Sequence, residues 1–204
     1  MKLLFKINLA LLALFAIGIA VTARISHDLL QRNARDEVIE QAKLLIDSAL
    51  AVRSYTSANI APLLETQIKY EFRPEMVSAY SAIALLRNLR EANPEYKQFL
   101  YREATLNPTN PANRAVEWES DIVQAFRNGA AQTSLVGERD TPNGRMLYVA
   151  KPLKAGAACL RCHDTVDVAP TTMLAKYGTA GGFGWKTNEI IGAQTMQVPA
   201  TTAR

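Results

Sequence analysis

From Ala20 to Ala61 the chain contains neither glycine nor proline, the two residues that most readily break a helix. Nothing over that span stops a helix, and its pattern gives reasons for one. Val38, Ala42, Leu45, Ala49 and Val52 recur at steps of three and four residues, and Ile39 and Ile46 broaden the same face. Asp36, Glu40, Lys43 and Asp47 lie off it. The spacing predicts a long amphipathic helix whose apolar stripe packs on a folded body.

The residues ahead of that helix are of another kind. Lys2 and Lys6 lead into residues 7–21, a run without charge in which all but Asn8 and Gly18 are apolar. A positive start before an apolar run is a membrane-targeting pattern. Leu3 to Ala23 is near the length needed to cross a bilayer, and the positive flank directs the remainder of the chain to the outside of the cytoplasm. Two outcomes fit. Residues 1–24 stay as a single-span anchor in the bacterial inner membrane, or they are removed as a signal peptide near Ala23, after the small residues of Val21-Thr22-Ala23. In both, residues 25–204 form an exported domain on the periplasmic side. The formal net charge is +4; without Lys2 and Lys6 about +2 remains. No basic block is dense enough for a nucleic-acid partner.

Beyond the long helix, Pro74 opens a second one, with Met76, Ala79, Tyr80, Ile83, Leu86 and Leu89 on one face, and Asn93-Pro94 ends it. The segment "EYKQFLYREATLNP" lacks helical spacing and reads as a strand. A third helix is expected from Asn110 as its cap, with Pro111 first and Trp118, Ile122 and Phe126 buried, stopping at Asn128-Gly129. Residues 132–139 and 144–153 flank the turn "DTPNG" as a β-hairpin. The segment "AACLRCHD" comes next as a loop, then the glycine-rich "YGTAGGFGW", then a last strand, "EIIGAQTMQVP". Runs of strands beside runs of helices imply an α+β fold on an antiparallel sheet with flanking helices, preceded by the long N-terminal helix.

The chemistry concentrates in Cys159, Cys162 and His163. The chain has two cysteines and two histidines, so a chance C-x-x-C-H is on the order of one in ten thousand. A closed zinc site needs four ligands, and His27, the other histidine, lies far off beside the apolar segment. A thioredoxin-like redox pair would sit at a helix start in a βαβ unit, a pattern absent before Cys159. A structural disulfide suits an exported protein but leaves the adjacent histidine unexplained. Covalent c-type haem accounts for every part: two thioethers from Cys159 and Cys162, and His163 as the iron ligand. One motif means one haem, attached by the cytochrome c maturation machinery outside the cytoplasm. The motif's late position, after a hairpin, departs from small cytochromes c.

Taken with "NARDEV" and "AVRSYT" in the long helix, "LNPTNPANRAVEWE", "CLRCHD" and "YGTAGGFGWKTNEIIGA", the chain resembles the PAS-like, single-haem c-type domains. These are exported domains found alone or as the sensor half of histidine kinases. The resemblance spans nearly all of the chain from about residue 25. It implies a PAS-like sheet holding the haem, and a sensor of redox state or of a diatomic gas such as NO, CO or O2. A signalling partner protein or a redox partner would then be required. The alternative is an electron-transfer cytochrome with a six-coordinate, low-spin haem. Some family members resemble one another in having a cysteine ligand opposite the histidine; a third cysteine is missing here. His27, Met76, Met146, Met173 and Met196 are the sequence candidates for that position. Arg53 is a candidate partner for a haem propionate and Tyr55 for a hydrogen bond in the distal pocket. Trp118, Phe183 and Trp185 are candidates for packing on the porphyrin, and Gly181, Gly182 and Gly184 for close backbone approach. Asn107 and Asn110 are read as turn formers. Catalysis is not expected, because no cysteine–histidine pair is left over for nucleophilic work.

Overall fold

A computed structural model describes residues 2–129, 133–142 and 144–200. One helix, α1 (Lys2–Tyr55), carries both the apolar run and the amphipathic stretch without a break. At 1.5 Å per residue it is about 80 Å long. Residues 2–27 of it are exposed, and an apolar window there, of mean hydropathy 2.3, is long enough to cross a membrane. The first buried side chain is Val38; Ala42, Ile46 and Ala49 continue along one stripe. Val38, Ala42 and Ala49 are the positions that the sequence periodicity selects.

The end of α1 has an identifiable cause. Pro62 offers no N–H and its ring collides with a carbonyl four residues earlier. Ahead of it the helix widens into a π turn, Thr56–Ile60, in which the Ala61 N–H donates to the Thr56 carbonyl. A 3₁₀ turn, Ala61–Leu64, comes next. The second expected helix, α2 (Ser78–Ala92), packs beside α1 but does not begin at Pro74, because Pro74–Met76 closes a 3₁₀ turn and Val77 is extended ahead of it.

The strands are β1 (Leu100–Thr105), β2 (Leu135–Thr141), β3 (Gly144–Lys154) and β4 (Ile190–Pro199). They form an antiparallel sheet in the order β1-β4-β3-β2. Alternation along the strands separates two cores. Leu147, Val149, Met196 and Val198 face α1 and α2. Ala150 and Ala193 face the other way, against Ile122, Val123 and Phe126 of α3 (Glu117–Arg127). The chain is therefore α+β, with helices on both faces of the sheet.

Other boundaries also differ from expectation. The first strand begins at Leu100, because Pro94–Tyr96 closes a 3₁₀ turn instead. The third helix begins at Glu117 rather than at Pro111. Asn110 does cap Pro111, but only for a 3₁₀ turn, its Oδ1 accepting from the Ala112 N–H at 3.1 Å. The next residues are drawn into a strand-like bridge, with the Ala115 N–H donating to the Thr105 carbonyl at 3.0 Å. α3 then starts where the fully buried Glu119 carboxylate accepts from the Val116 N–H and from Arg102. The hairpin pairs Leu135↔Ala150 through Thr141↔Gly144; Asn143 of its turn, and Gln132 at the start of its first expected run, lie outside the described residues.

Gly192 sets how closely β4 approaches β1. A Cβ there would stand 2.2 Å from the Ala104 carbonyl oxygen, a backbone atom that cannot swing aside. Gly192→Ala is expected to lower the unfolding free energy by about 2 kcal/mol or more, read from denaturant unfolding in detergent. An unchanged midpoint would mean that the two strands can part at no cost.

Candidate cofactor site

The site begins where β3 ends. The Ala155 N–H donates to the Glu189 carbonyl and the Asn188 N–H to the Ala155 carbonyl, which tie the exit of β3 to the entrance of β4. The chain then coils rather than looping: a 3₁₀ turn, Ala157–Cys159, runs into a single helical turn, α4 (Leu160–His163). This corrects the expected loop. On a helix, residues three and four apart share a face, so the coil brings Cys159, Cys162 and His163 to one side. Both thiols are free and half-buried. Cys159 packs with Leu153, Ala155 and Ile191, and Cys162 with Phe72, Ala169 and Met173. Burial pushes the Cys162 thiol up; Arg161 opposes this and Cys159 adds to it.

His163 is oriented by the glycine-rich segment. Its Nδ1 lies 2.7 Å from the Gly182 carbonyl oxygen. A carbonyl can only accept, so Nδ1 carries the proton and Nε2 keeps the lone pair that binds a metal. Burial holds the imidazole below its ordinary range, with the Gly182 bond working the other way, which favours the neutral ring. The Thr109 hydroxyl sits 3.3 Å from the same Nδ1. Trp185 stacks on the ring at 4.0 Å and 16°.

Two backbone hydrogen bonds clamp the glycine-rich segment to the histidine: Gly184 N–H to the Asp164 carbonyl at 2.6 Å and Trp185 N–H to the His163 carbonyl at 3.1 Å. Gly182 is at φ +85°, where side chains are disfavoured, and a Cβ there would lie 1.9 Å from Thr109 Oγ1 and 2.7 Å from the Thr109 nitrogen. Asn107 faces this segment from across the chain. Its Oδ1 accepts from the Gly182 N–H at 3.1 Å, and its Nδ2 donates to the Phe183 carbonyl at 3.2 Å. Asn107 therefore bridges two segments instead of shaping its own turn.

Cys159, Cys162 and His163 open onto a cavity of about 410 Å³. Phe72, Val77, Ile83 and Ile191 give it apolar walls; Arg53, Arg87, Arg161 and Glu103 bring charge to it. Arg161 is paired with Glu65 at 2.7 Å, and Arg53 with the buried Glu103, which is 2% exposed. Behind Glu103, the Tyr101 hydroxyl donates to its Oε1 at 2.8 Å, and Gln194 donates to the Tyr101 oxygen at 3.0 Å. Burial, then the Glu103 carboxylate, push the Tyr101 phenol far above its ordinary range, so it stays a donor.

The expected site residues divide. Cys159, Cys162, His163, Trp185 and Arg53 all line the cavity. Tyr55 does not; it is 59% exposed. Residues two positions apart on a helix are separated by about 200° around its axis, so Arg53 and Tyr55 point to opposite sides. Trp118 is also elsewhere, on the α3 face of the sheet against Tyr148, with Arg139 4.4 Å from its ring. Phe183 packs on the Phe72 cluster. Among the candidate second ligands, Met76 and Met173 line the cavity. Met146 and Met196 are buried in the sheet, and His27 is exposed on α1 before the packed stripe begins. Sequence reasoning missed Arg87, Glu103 and Thr109, and pattern alone singles out neither Arg87 nor Thr109. Glu103 did carry a signal, as a charge on the inward side of a strand between Tyr101 and Thr105.

Thiols three apart, with an imidazole next to them whose Nδ1 is held by the Gly182 carbonyl, all lining one cavity, are a donor set that fits a covalently held haem. Among the described residues no cluster of three or more His, Cys, Asp or Glu side chains stands ready for a metal ion by itself.

The fold is shared with a known protein. The crystal structure of the cyanobacterial haem protein Tll0287 matches at a TM-score of 0.62 and 15% identity, covering 82% of this chain and 98% of that one. Among curated proteins none matches the chain. The profile of the Tll0287-like family matches residues 31–199, from the middle of α1 to the end of β4, and the chain belongs to that family.

Proposed function

We propose that the chain holds one haem c, through thioethers to Cys159 and Cys162, with His163 Nε2 as axial ligand. The observation that carries this is the His163 hydrogen bond to Gly182, which leaves Nε2 unprotonated beside two thiols on consecutive helical turns. Membership of the Tll0287-like family, and a fold shared with a haem protein, support it. When bound, the haem supplies an iron that changes oxidation state or takes up a diatomic gas.

The chain's own residues do the rest. Gly182 and Trp185 fix the imidazole plane. The apolar walls exclude water, and Arg53 and Arg87 offer cations for the propionates. We read the protein as a redox or gas sensor rather than an enzyme, anchored on the periplasmic side of the inner membrane by the exposed half of α1. It works through a partner protein. A second reading, electron transfer, is favoured by one observation: Met76 and Met173 both reach the cavity, and a thioether would complete a six-coordinate iron.

The test is to express the full chain with the cytochrome c maturation machinery, stain a denaturing gel for haem, and record reduced and CO-treated spectra. Haem that survives denaturation, with a spectrum that CO moves, is the expected result. Absence of covalent haem overturns the proposal. A low-spin spectrum that CO leaves unmoved selects the electron-transfer reading.

A further inference from the structure

We propose that Asn107 is a positioning residue for His163, acting through Gly182, and that it sets the donor strength of the imidazole. This rests on the haem reading above. The path is short: His163 Nδ1 donates to the Gly182 carbonyl, the Gly182 N–H donates to Asn107 Oδ1, and Asn107 Nδ2 donates to the Phe183 carbonyl. Asn107 thus holds the peptide units before and after the one that carries the Gly182 carbonyl, the first by its N–H and the second by its carbonyl. Those bonds fix the direction in which the Gly182 carbonyl points.

The Gly184 and Trp185 N–H bonds clamp the segment two and three residues further on, whereas Asn107 takes the N–H of Gly182 itself. Its left-handed backbone lacks the side chain that would otherwise anchor it. Thr109 limits its approach by contact, and its hydroxyl, at 3.3 Å, is the weaker competitor for the same Nδ1. Were the Gly182 carbonyl to swing away, the Nδ1 proton would be left to Thr109. A hydroxyl is a poorer acceptor than a peptide carbonyl within a chain of hydrogen bonds that polarise one another.

The consequence is electronic. A hydrogen bond from Nδ1 to a fixed acceptor raises the basicity of the ligating nitrogen. A more basic ligand stabilises the ferric over the ferrous iron and lowers the reduction potential. Loss of the Asn107 side chain therefore raises the potential, although Asn107 touches neither the imidazole nor the cavity.

Spectroelectrochemical titration of the full-length holoprotein at fixed pH tests this. Asn107→Ala is expected to raise the ferrous-to-ferric ratio at a given poise about tenfold, the lower end of what outer-shell partners do, equal to about 59 mV for one electron. Asn107→Asp keeps the acceptor for the Gly182 N–H but sets a carboxylate oxygen where Nδ2 donates to the Phe183 carbonyl, and is expected to return part of the shift. Asn107→Ser, which suits the segment but is too short to reach both groups, carries the expectation of Asn107→Ala should that variant fail to fold. A wild-type potential in the alanine or serine variant, or an aspartate variant shifted as far as they are, overturns the proposal. Wild-type protein lacking covalent haem overturns the reading beneath it instead.

Discussion

His163→Ala, on the proposed haem c attachment, is expected to leave the haem bound and strip the protein ligand from its iron. The two thioethers do not depend on the imidazole, so haem stain on a denaturing gel should match wild type. The spectrum should change fully, toward a high-spin form. Free imidazole should reverse it, since the substitution leaves a ring-sized space under Trp185, whose stacked partner is gone. The loss of that stacking costs about 1 kcal/mol of stability, small beside the change in ligation. A variant whose spectrum is that of wild type would remove His163 as the ligand.

Arg53→Ala is expected to be the most destabilising of the single changes considered. Arg53 is 16% exposed and Glu103 2%. A buried ion pair adds little net stability, but removal of one member strands the other, at about 3–5 kcal/mol. The Tyr101 hydroxyl and the Gln194 amide would remain on the carboxylate; neither is a cation. Unfolding by urea in detergent would read the loss. Arg53→Met with Glu103→Gln should recover much of it, because no charge is then left buried. A loss below about 1 kcal/mol for Arg53→Ala would mean that water reaches Glu103 through the cavity and screens it.

The parts of the fold legible in the sequence obey local rules. The α1 stripe, the hairpin and the last strand are periodic signals, readable wherever they sit. So is the grouping of Cys159, Cys162 and His163, because their chemistry is set by spacing along the chain. The departures came where distant segments met. Periodicity could not foresee that Thr105 would pair with Ala115 and hold back the start of α3. Arg53 and Tyr55 are neighbours along the chain, yet residues two apart on a helix face opposite ways. Arg53 finds Glu103 fifty positions away, and Asn107 finds Gly182 across seventy-five. Contacts of that kind depend on the register of the sheet, which a single strand's pattern does not specify.

α1 also has a mechanical property. Sharp bends in helices arise at proline, at glycine or at inserted turns, and none of these occurs between Ile19 and Tyr55; Gly18 is behind that span and the π turn ahead of it. The helix is a stiff shaft about 50 Å long between the apolar segment and Arg53. Its far end is keyed to the sheet by the Glu103 pair. A shaft without a joint carries twist and thrust along its axis with little loss. A turn of a few degrees imposed at the cavity would arrive at the apolar end as nearly the same turn.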